Sequence, residues 1–156
     1  MRALTILGGT ADPPLPPTAG EVWGCNSLWA LACDRRGAFK ATRWFELHPR
    51  AVNTAEEQRA VVNCQVPIYV LDAGEWPDCP RAVTYPLDRV RSLLPDGRDF
   101  FCSTFAYQLA LAVLEGFQAI ALRGLDLSLG TRRERTVEKG NLEYWIGFAR
   151  GRGVVV

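Results

Sequence analysis

The sequence predicts an α/β domain built on a mainly parallel sheet with helices on both faces. Three observations predict it. Short β-type runs alternate with helical segments along the chain, an order that implies parallel strands covered on both sides. The first run, Ala3–Leu7, is apolar until Gly8-Gly9 stops it, as in a buried strand. The segment Ser103–Glu115 is apolar almost all round and leads at once into another strand-like run, as expected of a helix buried on several sides.

After the first strand, Pro13, Pro14, Pro16 and Pro17 crowd the segment before Gly20. Proline excludes a helix interior there, so an extended arm or ordered loop is expected. Glu21–Cys25 reads as the second strand, ending in Asn26-Ser27, and Leu28–Cys33 as a short helix with the polar exit Asp34-Arg35-Arg36-Gly37. Thr42–His48 reads as a third strand that Pro49 terminates. Thr54 then caps a helix with Glu56 and Glu57 in its first turn, running through Val62.

Val66–Leu71 gives a fourth strand and Ala82–Tyr85 a short fifth, leading through Pro86 into a helical Asp88–Leu94. Ser103 or Thr104 caps the helix to Glu115, and Gly116 suits the position just past its end. Ala119–Leu122 reads as a central strand running into Gly124-Leu125-Asp126. Thr131–Gly140 reads as a charged loop, and Asn141–Arg150 as a helix broken by Gly151 and Gly153 before a last strand, Val154–Val156. The expectation is one three-layer Rossmann-like domain over residues 1–156.

Composition narrows the class further. At 156 residues the chain is long enough to bury a proper core, and 48% apolar with 22% charged residues is ordinary globular composition. The formal charge of +1 supplies no overall drive toward nucleic acid or an anionic membrane, so any anion site must be local. No apolar run is long enough for a secretory core or a membrane span, and cytoplasmic residence is expected. The five cysteines form no CxxC pair, and with one histidine they suggest no structural zinc set and no metal ligands. Reduced thiols packed as small apolar groups are expected.

In parallel sheets, ligands bind beyond the carboxyl ends of the strands, and the polar residues there are the candidates. Gly8-Gly9-Thr10 can admit a phosphate to the backbone, although it is neither a GxGxxG nor a Walker sequence; a plain tight turn is the alternative. Asn26 and Ser27 end strand two, where an amide can donate and accept at once. Capping of the next helix would also explain them. Ser103-Thr104 opens a helix whose free amides and dipole favour an anion. Asp126, after a strand, can hold a ribose, a metal or a proton, or simply make a turn.

Glu46 and His48, two apart in a strand, face the same way and could act as an acid–base pair; a surface pair is the alternative. Arg132, Arg133 and Arg135 could fold over a phosphate or stay solvated. Cys102 lacks a basic partner that would make it a nucleophile.

Taken in order, Gly8-Gly9, Trp23-Gly24-Cys25-Asn26, Trp44-Phe45-Glu46-Leu47-His48, Ser103-Thr104-Phe105-Ala106-Tyr107, Gly124-Leu125-Asp126 and Glu143-Tyr144-Trp145-Ile146-Gly147 resemble a family of small bacteriophage Rossmann-like proteins of unassigned activity. The likeness runs from Leu4 to Val156. More distantly, the glycine turn and the Cys25-Asn26 pair resemble the sialyltransferases that use nucleotide sugars. Hydroxymethylpterin pyrophosphokinase-like and flagellin-associated motility proteins are similar in outline.

The sialyltransferase resemblance implies donor contacts at Gly8, Gly9 and Asn26. Those enzymes carry Gly-x-Gly-Pro-Ser where this chain has Gly8-Gly9-Thr10-Ala11-Asp12-Pro13, and a late catalytic histidine where its single histidine is His48.

The leading expectation is a phage-type protein that binds a nucleotide or nucleotide-sugar, with Mg2+ as a compatible companion, and transfers a glycosyl or phosphoryl group. In a phage-encoded protein the setting would be the host cytoplasm. A non-catalytic module, sequestering a signalling nucleotide or inhibiting a host protein, is the alternative. A third reading is an assembly protein using exposed Trp23, Trp29 and Trp76 as contacts. A homo-oligomer or a host-protein partner is compatible with these readings, and the 13–17 arm could close over the site or pack on a neighbour.

Overall fold

The computed structural model describes residues 1–9, 20–33, 36–95, 99–125 and 131–156. Six strands form one sheet: β1 (Ala3–Leu7), β2 (Glu21–Cys25), β3 (Arg43–Glu46), β4 (Ile68–Val70), β5 (Ala82–Thr84) and β6 (Ala119–Arg123). Their order is β5-β4-β3-β2-β1-β6, and every pairing is parallel. The four α-helices are α1 (Ala55–Val62), α2 (Leu87–Arg91), α3 (Thr104–Leu114) and α4 (Arg132–Gly151). This is the expected α/β Rossmann-like architecture. Chain order runs outward from β1 to β5 and then returns to place β6 on the other side of β1, so the switch point lies between β1 and β6.

Strand periodicity divides the interior into two cores. On one face, Leu4, Ile6, Trp23, Cys25 and Phe45 pack under α2, α3 and α4 through Val90, Leu109 and Trp145. On the other, Val22, Trp44, Ile68 and Val70 pack with Val61 of α1 and with Trp76. Thr54 caps α1 as expected: its side chain accepts from the Glu57 amide while the Glu57 carboxylate accepts from the Thr54 amide. Cys25, Cys64 and Cys79 are buried, and the described cysteines are free thiols.

Four expectations need correction. Thr131–Gly140 is not a loop, because α4 begins at Arg132. Its arginines, lysine and glutamates are good helix formers, Lys139 reaches Glu143 one turn on, and Asn141, Leu142, Trp145 and Ala149 bury one face of the helix. The run Ala119–Arg123 is an edge strand rather than a central one; beyond it only an isolated bridge pairs Ala119 with Val155. Residues 154–156 therefore supply that bridge and not a further strand among the described residues. Finally, Trp23 and Trp76 are 0% and 1% exposed, which removes them as surface contacts; Trp29 is half-buried and stacks on Trp44.

Candidate functional site

Because all six strands are parallel, their carboxyl ends share one edge of the sheet. Gly8 follows β1 there, Asn26 follows β2, and Glu46 closes β3. Cys25 pairs with Phe45, and the Asn26 amide donates to the Phe45 carbonyl at 3.0 Å. The register thus brings Asn26 level with Glu46.

Helix α3 runs opposite to the strands. Near its end, the Arg2 guanidinium donates to the Glu115 carbonyl at 2.8 Å, at the amino edge of the sheet. Further back along the helix, Gln108 Nε2 donates to the Gly24 carbonyl at 3.1 Å. Ser103-Thr104 therefore opens α3 on the carboxyl side of the sheet. The structure brings Gly8, Asn26, Glu46 and the start of α3 to one edge.

Asn26 carries the strongest local signal. Its φ is +51°, and it is the one positive-φ residue other than glycine among those described. Such a conformation costs about 1–3 kcal/mol, persists only where its surroundings impose it, and concentrates at functional sites. The imposing contacts are visible: the Asn26 amide is bonded to Phe45, and Trp44 Nε1 donates to the Asn26 carbonyl at 3.0 Å. The Asn26 side-chain oxygen Oδ1 is buried and has no hydrogen-bond partner.

Gly8 is buried and Gly9 exposed. The Gly8 amide donates to the Arg123 carbonyl at 2.7 Å, and a Cβ at Gly8 would collide with the Gly124 carbonyl. A glycine is required at Gly8 by this close approach of two chains at the switch point, whatever it also offers a ligand. Ser27 is exposed. Ser103 caps α3 by accepting from the Ala106 amide at 3.4 Å, and the next amides, of Thr104 and Phe105, are of the kind a helix start leaves without intrahelical partners.

His48 lies beyond β3, which ends at Glu46. The pair nevertheless forms: His48 Nδ1 is 2.6 Å from Glu46 Oε1, which also accepts from the His48 amide at 3.4 Å. Glu46 is 4% exposed, whereas the His48 ring is 52% exposed. The hydrogen bond to Glu46 is the main cause that raises the His48 pKa above its ordinary value. Burial opposes it, and the negative charges of Glu46 and Glu57 add to it. With Nδ1 engaged, Nε2 is the ring nitrogen left for exchange with a ligand.

Thr10 and Asp126 lie outside the described residues, as does the 13–17 arm. Arg132, Arg133 and Arg135 belong to the first turn of α4 rather than to a loop. Cys102 is exposed and its amide donates to Asn141 Oδ1 at 2.9 Å. Burial pushes the Cys25 thiol well above its usual range, which makes it inert as a nucleophile at neutral pH. Among the described residues, no group of three or more His, Cys, Asp or Glu side chains is placed to hold a metal. Nor is any described helix long and apolar enough to cross a membrane.

Gln108 makes a long-range tie that sequence reasoning missed. It is fully buried in the middle of an apolar helix and tied to β2. The available signal was that it interrupts the apolar run Phe105–Leu114.

A charged cluster occupies the opposite edge. Arg43 contacts Glu115 at 2.6 Å and Glu21 at 2.9 Å, while Arg2 bonds both carboxylates. Trp23 Nε1 donates to Glu21 at 2.9 Å. Each charge has an opposite partner, so the cluster reads as structural.

No family model matches the sequence, and no curated protein matches it. Solved structures do match in fold. One is the sialyltransferase CstII from Campylobacter jejuni in complex with a substrate analogue, cytidine-5'-monophosphate. It has 16% identity and a TM-score of 0.60, covering 96% of this chain and 77% of that one. Another is the sialyltransferase CST-II in complex with a trisaccharide acceptor and CMP, with 13% identity, a TM-score of 0.62 and the same coverage. At such identities the likeness is one of fold.

Proposed function

We propose that this chain is a phage-type protein that binds a nucleotide or nucleotide-sugar at the carboxyl edge of its sheet, and that it transfers a glycosyl group. One observation carries the reading. Asn26, held in a left-handed conformation with an unpartnered carbonyl, follows β2 at the carboxyl edge of the sheet, on a fold shared with CMP-bound sialyltransferases. The helix start would receive phosphate oxygens through its free amides and dipole, Gly8 and Gly9 would leave room for the backbone to approach, and Asn26 would hold the nucleoside.

Glu46 and His48 would supply the proton chemistry. Glu46 orients the ring through Nδ1, leaving Nε2 to take the proton of an acceptor hydroxyl. As that oxygen forms its bond to the sugar carbon, the carbon–phosphate oxygen bond breaks. Its electron pair leaves with the nucleotide, whose developing charge the α3 amides stabilise. Thr10 and Asp126 remain candidates for donor and ribose contacts on their sequence positions alone.

The test is a thermal-shift panel of nucleotides, nucleotide-sugars and cyclic dinucleotides, with and without magnesium, followed by turnover assays on any hit. Ligand at ~100 times its dissociation constant adds about 2.7 kcal/mol of stability. The expected result is stabilisation by a nucleotide-sugar, and turnover that His48→Asn abolishes while binding persists. Binding without turnover in the unaltered protein would instead leave a nucleotide-sequestering module. Silence across the panel would overturn the reading.

A further inference from the structure

Helix α4 turns Asn141, Leu142, Trp145 and Ala149 into the fold. Away from that face, Val137, Gly140, Tyr144, Gly147 and Gly151 recur at alternating steps of three and four, which sets them in one row along the helix. The row is bare among the described residues. Val137 is 50% and Tyr144 38% exposed, the three glycines are exposed, and a Cβ at any of them would meet nothing within 4 Å. Gly140 and Gly147 lie inside the helix, where glycine is unfavourable relative to alanine. The fold supplies no reason for them, since no neighbour needs the space and neither has a positive φ. Alternating steps of three and four are the spacing with which one helix seats against another.

Charge selects the second helix. Glu143 and Arg150 are both exposed, and each precedes a residue of the row by one, so they flank the same side of it. Let two copies of α4 lie antiparallel, with Tyr144 opposite Gly147 and Gly140 opposite Gly151. The flanking positions of antiparallel helices then set Glu143 of each copy beside Arg150 of the other, two ion pairs about one two-fold axis. Each Tyr144 ring covers a glycine of the other copy. A parallel pairing would instead stack the two Tyr144 rings and set Glu143 beside the half-buried Phe148. Existing contacts leave both charges able to pair: Glu143 meets Lys139 at 3.7 Å, and Arg150 gives one of its five N–H groups to the Val156 carbonyl at 2.7 Å. With 3.6 residues per turn, the centre of the buried face lies about 135° round the helix from the row, so the bulk of each domain stays outside the contact.

We propose that this face of α4 is a two-fold interface with a second copy of the same chain, packed antiparallel through Tyr144 and Gly147 and fixed in register by Glu143 and Arg150. The inference is independent of the nucleotide reading.

The experiment is analytical ultracentrifugation over a range of protein concentrations. It compares the unaltered protein with Gly147→Glu, Glu143→Arg, Arg150→Glu and the double variant Glu143→Arg/Arg150→Glu, with a thermal melt of each. The expected species is a reversible dimer of the 17.3 kDa chain. Each single variant should raise the dissociation constant by about tenfold or more, and the double variant should restore it, because its charges are exchanged and still complementary. Should a charged variant not fold, Gly147→Ala carries the test. Its methyl favours the isolated helix but intrudes on the close contact, so the monomer should melt higher while dimerisation weakens. A role within one chain would not move the two in opposite directions. A chain that stays monomeric at every concentration overturns the interface, whether or not some other protein binds this face. A dimer that Gly147→Glu leaves intact overturns it as well. A dimer lost in the single charge variants and not regained in the double one overturns the antiparallel pairing.

Discussion

His48 Nδ1 lies 2.6 Å from Oε1 of the buried Glu46. The bond favours the protonated ring, so the folded-state pKa stands above the ordinary value of about 6.5. The stability this adds is fully present below the unfolded value and is lost as pH rises through the raised folded value. An NMR titration of the ring should place the midpoint above that of a model histidine, and Glu46→Gln should bring it down. A midpoint that does not respond to Glu46→Gln would break the link between the two residues.

Gly24 faces Trp44. A Cβ at Gly24 would collide with the indole, which is fully buried and also holds the Asn26 carbonyl. Gly24→Ala should cost ~2 kcal/mol of stability by overpacking and should weaken any ligand that Asn26 binds. Denaturant melts and a binding titration check the two effects separately.

Asn141 should be a stability residue. It is 1% exposed, accepts from the Cys102 amide at 2.9 Å and donates to the Phe100 carbonyl at 2.8 Å, tying the approach to α3 onto α4. Asn141→Leu leaves the Cys102 amide without its partner, while the Phe100 carbonyl keeps the Trp145 indole at 3.0 Å, and should cost ~2 kcal/mol. It should also raise hydrogen exchange at the start of α3. A loss of stability without that local change would count against the tie.

Arg43 is the hub of the charged cluster at the far edge of the sheet. Arg43→Met strands Glu21 and Glu115 with less compensation and should destabilise by ~2 kcal/mol. Ligand affinity should be unchanged, because the cluster lies at the opposite edge from Asn26. An affinity loss beyond the stability effect would place the site elsewhere.

Asn26 shows how much of the site was legible. Its position at a strand end follows from reading Glu21–Cys25 as a strand, and the adjacency of Glu46 and His48 follows from their spacing. Its left-handed backbone and its bonds to Phe45 and Trp44 do not follow from any local pattern. Gln108 shows the converse case. Its hydrogen-bond partner, Gly24, is 84 residues away, so the sequence presents it only as a polar interruption in an apolar helix.

Local chemistry by itself determined the elements: apolar runs bounded by glycine made strands, Thr54 with Glu57 made a capped helix, and their alternation made a parallel sheet. The charged stretch before Gly140 misled because exposed polar residues read alike in loops and helices until a buried face is known. Strand order was decided only by the tertiary structure. Placing β6 at the edge beside β1 creates the switch point, and setting α3 against the sheet ties Gln108 to Gly24 of β2. The physical reason is range. Capping, turns and periodicity act over a few residues, whereas which strands pair and which helix covers them depends on burying whole faces drawn from distant parts of the chain.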